Sequence, residues 1–497
     1  MPLFAAFCNG SNTERSLSMD AEQTINLYRS TVESQASPKQ AYLIGTPGLR
    51  LLGTVGSVVC RGTFTQDGRT FAVYGDTLYE LTFGPFTATA RGMIANDGLP
   101  VSMASNGDGG NQLAIVGGGQ LKIFNLGTNV LSAAVVLPLT KAPVMVGFID
   151  GYFILSERDS LISWFSNIEN GLIFDALDFF TRSTASDHIV AMVCANNRIW
   201  LFGSETSEAY EDVGDADNPF QPIKGSLFQI GIAAAWSLSV GVSTMRWLGK
   251  SSRGGPVVYR LDGYNGTRIS THANEARLAS ASTLANAEGL TYEQDGHLFY
   301  ALTCPSLGDA GETIVIDENE QGQWHTRSSR NVTLGRDEQW RVRGHAFVGQ
   351  THVVGDWTTG SVWALDLDTY SEGETMIRRV RRAPYLGAEN ATAIIDRVEL
   401  GVEMGVGITT GQGSDPQVEL NVSKNGGKTW FSAGTSGIGK IGEYDIQSGA
   451  FWTRLGKTRV DRLVLEAVVT DPVKVAIGPG LWIQATPGRP YGSQAAA

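Results

Sequence analysis

Residues 62–82 read GTFTQDGRTFAVYGDTLYELT. Apolar and polar residues alternate on both sides of Asp67 and Gly68, as they do in half-buried antiparallel strands joined by a tight turn. The form returns in QLAIVGGGQLKIFNL (112–126), GYFILSERDSLISWF (151–165), NRIWLFGSETSEAY (197–210) and GHLFYALTCP (296–305). Turn signals fall at Asp67 and Gly68, Gly107 and Asp108, Asp150 and Gly151, Asn196 and Asn197, Arg253 and Gly254, Asp295 and Gly296, and Gly349 and Gln350. They recur every ~40 to 57 residues, close to one propeller blade per period. The expected fold is therefore all-β, with a β-propeller over residues 46–375. Seven repeats are read, and six blades result if one repeat is an insertion. A β-sandwich or a series of hairpins is the competing reading of the same alternation.

Composition narrows the class. A chain of 497 residues exceeds what one hydrophobic core usually organises, so more than one domain is expected. Sixty glycines against 17 prolines, with 9% aromatic residues, favour many tight turns around aromatic-packed sheets. A formal charge of −12 disfavours nucleic-acid binding through a broad basic face. Cys8, Cys60, Cys194 and Cys304 are far apart and form no CxxC pair, so they read as small buried hydrophobes. The start, MPLFAAFCNG, lacks a basic region and a long apolar core, and no run approaches a membrane span. Synthesis in a cytoplasm is the expectation.

Around the propeller the sequence suggests further units. Residues 1–45 read as an N-terminal arm; INLYRSTVE (25–33) and AYLIGTPGLRLL (41–52) carry strand signals, and a strand from here would join the first and last blades and remove their edges. SNIENGLIFDALDFFTRSTASDH (166–188) is too long for a blade hairpin, and long loops in compact domains often carry interfaces. MIRRVRRAPYL (376–386) holds the densest basic run and reads as an Arg-rich hinge over 376–394. Strand alternation would split that run, with Arg379 and Arg381 on one side and Arg378 and Arg382 on the other. Contact with DNA phosphates, an ion-pair seam with another protomer and a solvated strand all remain open for it. RVELGVEMGVG (397–407), QVELNVSKNGGKTWF (417–431), DRLVLEAVVT (461–470) and VKVAIGPGLWIQA (473–485) predict a β-sandwich over 395–486, followed by a flexible tail, 487–497.

Chemical motifs are weak. Ser423, Asn425, Gly427 and Trp430 in SKNGGKTW resemble the Asp box of sialidase-type propellers with Asn in place of the acid, and an Asx side chain bonding its own turn accounts for them. Ser270, Thr271, His272 and Glu275 in RISTHANEARLASASTLANA (268–287) invite a hydrolase reading, but neighbours in sequence seldom form a triad. A short helix capped by Ser270 or Thr271 is the simpler account. The six histidines show neither HExxH nor a zinc spacing. Asp215, Asp217 and Asn218 lack the EF-hand spacing and read as a surface turn. GGGQ (117–120) and GVEMGVG (401–407) lack the P-loop lysine. No cofactor or metal and no catalytic residue is expected.

Several segments together resemble the packaged-DNA stabilisation or tail-hub (nozzle) proteins of short-tailed bacteriophages. They are NLYRSTVES (26–34) with TPGLRLL (46–52), NGLIFDALDF (170–179), RIWLFGSETSEAYEDVG (198–214) with NPFQPIKGS (218–226), WLGKSSRGGPVVYRLDGYNGTRISTHANE (247–275) and EQDGHLFYALTCP (293–305). The resemblance continues through NGGKTW (425–430), GKIGEYDIQ (439–447) and 452–477. It implies a non-enzymatic virion tail protein: a propeller protomer in a homo-hexameric ring below the portal and its adaptor. Such a ring extends the DNA channel, retains the packaged genome until ejection, and anchors the needle or plug and the tailspikes or fibres. The residues it carries are Trp247, Gly249, Tyr259, Gly263, Tyr264, Arg268, Ser270, Thr271, His272, Glu275, Gly296, His297 and Tyr300, with blade packing or contact between protomers as their implied roles. The loop at 167–188 and Arg378, Arg379, Arg381 and Arg382 are candidate interfaces. Two other functions compete, a sialidase-like glycan hydrolase and a receptor-binding propeller that recognises carbohydrate.

Overall fold

The computed structural model describes residues 3–17, 20–34, 41–215, 218–241, 244–251, 254–320, 322–383, 391–444 and 449–488. Seven small antiparallel sheets follow one another along the chain. Blade 1 comprises Cys60–Gln66, Arg69–Tyr74, Thr77–Thr82 and Thr87–Met93. Blades 2, 3 and 4 begin with Ser102–Ser105, Pro143–Ile149 and Ile189–Ala195. Blade 5 is built on Met245–Ser251, Gly254–Asp262 and Asn265–Arg268. Blade 6 starts with Glu288–Gln294 and blade 7 with Val342–Val348. The first strand of each blade packs on that of the next, through the short helix Ala235–Ser237 at blade 5, and blade 7 packs back on blade 1. The sheets therefore form a closed ring.

Local chemistry explains the hairpins. Asp67, Asp150, Asn196 and Asp295 have positive φ, as do the residues that follow them, Gly68, Gly151, Asn197 and Gly296. Two consecutive left-handed residues make the tight turn whose twist matches that of paired strands, and Asn, Asp and Gly tolerate that backbone best. These turns join the first and second strands of blades 1, 3, 4 and 6. Gly107 opens a one-turn helix in blade 2, and Gly349 turns blade 7. Arg253 lies outside the described residues, and Gly254 opens a strand.

Ring closure comes from the N-terminus. Gly48–Thr54 pairs antiparallel with Ser361–Asp366 and supplies the fourth strand of blade 7. Leu49 is wholly buried there with Trp340, Val354 and Trp363. Pairing the chain's beginning with its last blade fixes two otherwise exposed edges at once.

Two readings of the flanking segments need correction. Residues 1–45, expected to form an arm with a possible ring-closing strand, instead place strands in the C-terminal module while 48–54 closes the ring, and the basic run is a strand where a hinge was expected. Arg379–Arg382 is an interior strand, paired on one side with Ala21–Ile25 and on the other with Val464–Val469. That sheet runs on from the outer blade 6 strand, Gln323–Asn331, to Gln417–Ser423 and Phe431–Gly437. The facing sheet orders Leu27–Thr31, Ala41–Gly45, Ala476–Pro487, Thr392–Val402 and Ala450–Arg459. Leu43, Val398, Leu400, Leu420, Leu465 and Leu481 fill the core between them. The C-terminal module is thus completed by N-terminal strands. Residues 384–390 of the expected hinge and 489–497 of the expected tail lie outside the described residues.

Candidate functional site

Most of the residues singled out in 247–300 lie in blade 5 and its contacts with its neighbours, while Gly296 and His297 sit at the first hairpin of blade 6. Trp247 is wholly buried, stacks on Tyr259 with centroids 5.8 Å apart, and meets Phe202 of blade 4 at 5.1 Å. Its indole N–H donates to the Gly231 carbonyl at 3.2 Å. Gly249 leaves room for a ring, since a Cβ there would stand 2.4 Å from Tyr259. Tyr264 lies 5.8 Å from Trp200 and accepts the Arg198 guanidinium on its face at 5.0 Å, tying the blade 5 turn at Gly263 to blade 4. Tyr300, wholly buried in blade 6, donates its hydroxyl to the Ser237 carbonyl at 2.8 Å. Of these six aromatic and glycine positions, Trp247 and Tyr264 reach blade 4 and Tyr300 reaches Ser237, while Gly249 and Tyr259 pack within blade 5.

The Ser–His pair does not form a nucleophile and base. Thr271 caps the helix His272–Leu278, its hydroxyl accepting from the Asn274 amide. Ser270 donates to Glu275 Oε1 at 2.7 Å and accepts from the Val258 amide at 3.0 Å. Arg268 donates to the same carboxylate at 2.5 Å. His272 is 83% exposed in its side chain and stands beside Arg268, not Ser270. A general base must reach the nucleophile's proton, and here a carboxylate holds that proton instead. His272→Ala is therefore expected to change stability by less than about 0.5 kcal/mol. Glu275→Ala, which frees Arg268 and Ser270 together, is expected to cost about 1–2 kcal/mol in urea unfolding; equal effects would contradict this assignment.

The arginine strand alternates as its period requires. Arg379 and Arg381 are buried, while Arg378 and Arg382 reach the half-exposed side. Arg378 pairs with Asp337 at 3.1 Å, and Arg382 pairs with Glu466 at 2.7 Å and covers the Trp430 ring at 4.7 Å. Burial lowers the Arg379 guanidinium to about 10, against the favourable charges of Tyr370 and Glu372. Burial likewise raises Glu372 to about 7. These groups hold strands together and present no phosphate groove. At the turn of 423–430, the Asn425 carboxamide oxygen accepts from the Lys428 and Thr429 amides at 3.1 and 2.9 Å. Ser423 accepts from the Gly427 amide, and the Trp430 indole donates to the Gly427 carbonyl at 3.1 Å. Asn425 thereby closes the turn without chemistry.

One cluster was assembled only by the fold, although His297 was singled out in the sequence and His345 and His352 flank one blade hairpin. His297, His325, His345 and His352 converge with Tyr28, Tyr292 and Phe299 in one seam between blades 6 and 7. His297 Nδ1 lies 2.6 Å from Asp317 on the adjoining strands of blade 6. Burial opposes its charge, yet Asp317, with Glu320 and Asp295, raises it above the ordinary histidine value. The stability it adds is present below that ordinary value and is lost as pH rises through the raised one. Its neighbours behave oppositely: burial and His352 lower His345 to about 4, and burial also lowers His325 and His352. For these, stability is full above the ordinary value of about 6.5 and falls as pH drops below it, for His345 down through about 4. His345→Gln is expected to lose up to about 3 kcal/mol less than the natural chain between pH 7 and pH 4, as read by urea midpoints at each pH. Equal slopes would remove His345 from the account.

Cys60, Cys194 and Cys304 are pushed up to about 12 by burial, which makes them poor nucleophiles. The Asn218 amide donates to Asp215 Oδ1 at 3.1 Å, and Asp217 lies outside the described residues. Among the described residues no group of three His, Cys, Asp or Glu is placed to hold a metal, and no helix is long and apolar enough to cross a membrane.

Residues 5–370, the N-terminal strands and the whole ring, match the phage stabilisation family described as bacteriophage P22 Gp10, beta-propeller. The chain belongs to this family. The P22 Gp10 family is one of phage structural proteins, and a β-propeller is its fold. The match ends before the arginine strand, so the resemblance read in 425–477 is carried by the residues alone. No curated protein matches the chain. Among solved structures, the extracellular domain of a putative hybrid two-component system from B. thetaiotaomicron is 8% identical over 64% of this chain, with a TM-score of 0.42. This chain covers 39% of that one. A chain of the Mitotic Checkpoint Complex is 7% identical over 68% of this chain and 96% of its own, at a TM-score of 0.40. YCF48 bound to D1 peptide is 14% identical over 65% and 98%, at 0.39.

Proposed function

We propose that this Gp10-family propeller is the protomer of a tail nozzle, a homo-hexameric ring seated below the portal and its adaptor. In that place it extends the DNA channel, retains the packaged genome, and anchors the needle or plug and the tailspikes or fibres. The observation that carries the reading is the family match across the entire propeller, 5–370. The Ser270 geometry supports a role without catalysis, because the one Ser–His pair suggested by sequence is held apart by Glu275.

Charge fits passage of DNA. Six copies of −12 sum to −72, and a wall that does not attract phosphates lets DNA slide, whereas basic walls would retain it through counterion release. The test is native mass spectrometry with negative-stain imaging of the chain alone and with the phage's adaptor ring. Six-fold rings, alone or on the adaptor, are the expected result. A persistent monomer indifferent to the adaptor would reject the nozzle and return attention to glycan arrays and hydrolase assays. Tight, salt-dependent binding of nonspecific DNA by the ring would overturn the sliding argument.

A further inference from the structure

Two exposed surfaces of this chain have complementary chemistry and lie where they cannot meet within one molecule. The first is the loop between the third and fourth strands of blade 3, which join Ile162–Phe165 to Phe179–Thr181. It is pinned rather than loose. The Gly171 amide donates to Gln112 Oε1 at 2.7 Å, the Glu169 amide donates to the Gly151 carbonyl at 2.7 Å, and Phe174 is buried. Pinned in this way, it turns Ile168 (65% exposed), Leu172, Ile173 and Leu177 (83% exposed) to the outside. Several large apolar side chains exposed on one pinned loop are a mark of an interaction site. Its charges within 166–181 are all negative, Glu169, Asp175 and Asp178. Burial and the neighbouring Asp175 both disfavour the charge on Asp178, a tension that an arriving cation relieves.

The second surface is the outer face of the C-terminal sheet. Phe451, Glu399 and Trp482 stand in one cross-strand row, with Phe451 38% and Trp482 49% exposed. Ile394 adds a third apolar side chain two steps along the central strand's outward face, opposite Lys457. Arg397 covers the Phe451 ring at 4.2 Å while pairing with Glu399 at 3.0 Å, and Arg454 sits with positive φ at a bulge of the strand that carries Phe451. Exposed aromatic and aliphatic side chains beside Arg454 and Lys457 can receive an apolar loop edged by carboxylates.

Ring order decides what can occupy these surfaces. The C-terminal module is attached at blades 6 and 7, by Gln323–Asn331 and by the chain entering Gly48–Thr54. Blade 3 lies three blades from each of them in opposite directions around the ring, and so faces away from the module. We infer that the blade 3 loop of one copy docks on the outer C-terminal sheet of the next, joining copies head to tail. Two different patches on well-separated sides make a heterologous contact, which closes into a ring when the rotation between copies closes. The inference rests on the ring reading and specifies its contact.

The test uses two full-length double variants, Leu172→Asp with Leu177→Asp, and Phe451→Asp with Trp482→Asp. All four side chains are exposed, so unchanged thermal melts are the folding control. Sedimentation velocity and native mass spectrometry at the highest soluble concentration are expected to show the natural chain assembling and each variant monomeric, with self-association weakened at least about 100-fold. Mixing the two is expected to give a one-to-one dimer and nothing larger, because one intact loop and one intact sheet remain. Variants that assemble like the natural chain, or a mixture that stays monomeric, would overturn this contact and leave the ring standing. A natural chain that never assembles, with or without the adaptor, would remove the ring and this contact together.

Discussion

Replacing Arg381 with alanine is expected to cost about 3–5 kcal/mol of stability, among the largest effects available to a single change in this chain. Arg381 is wholly buried. Its guanidinium donates to the Phe7 carbonyl at 2.7 Å, the Gly10 carbonyl at 3.0 Å and Thr24 Oγ1 at 2.8 Å, and it pairs with Glu22. Removing it leaves two buried carbonyls without this donor and a buried carboxylate without its countercharge. Burial already pushes Glu22 upward, with Arg381 the principal opposing influence. Lysine is not expected to rescue, because one ammonium cannot reproduce the planar fork that reaches acceptors on two separate segments. Urea unfolding of Arg381→Ala and Arg381→Lys measures both. A cost below about 1 kcal/mol would show that the N-terminal segment is not held through this side chain.

Removal of residues 1–54 is expected to abolish folding. The truncation takes Gly48–Thr54 from blade 7 and Ala21–Ile25, Leu27–Thr31 and Ala41–Gly45 from the two sheets of the C-terminal module. Blade 7 then exposes the edge Ser361–Asp366, and Leu49 no longer covers Trp363. Buried apolar area is lost from both modules, and unpaired edges invite aggregation. Soluble yield and limited proteolysis read the outcome. A truncated chain that is soluble, monomeric and protease-resistant would show that the ring closes without its N-terminal strand.

Much of the ring was legible because its signals are local. A turn such as Asp67 and Gly68 states its own backbone geometry, and period-2 alternation states which face is buried. The turn built on Asn425 is of the same kind, since its acceptor and donors lie within a few residues. The candidate block at 247–300 was legible as a block but not in its roles. That Trp247 meets Phe202 and Tyr300 meets Ser237 depends on blade packing, and no spacing along the chain encodes it. The convergence of the four histidines gave no signal for the same reason. His297 finds Asp317 only when two strands of blade 6 pair, and it meets Tyr28 only when the N-terminus returns to that blade.

The arginine run marks the boundary most sharply. Its alternation, Arg379 and Arg381 on one side and Arg378 and Arg382 on the other, followed from strand geometry alone. Its burial did not, because charge density in a sequence ordinarily signals a solvated surface. What inverted that expectation was the arrival of Ala21–Ile25 beside it, bringing Glu22 and the carbonyls that make burial of Arg381 tolerable. The sequence by itself determined the strand alternation, most of the turns and the family resemblance, all carried by residues close together in the chain, while the choice between six and seven blades was left to the fold. Tertiary structure alone decided that the N-terminus completes both modules and that a basic run becomes a core strand. Those outcomes rest on pairings between residues hundreds of positions apart, whose partners are selected by the edges and buried charges that only the folded ring and sandwich create.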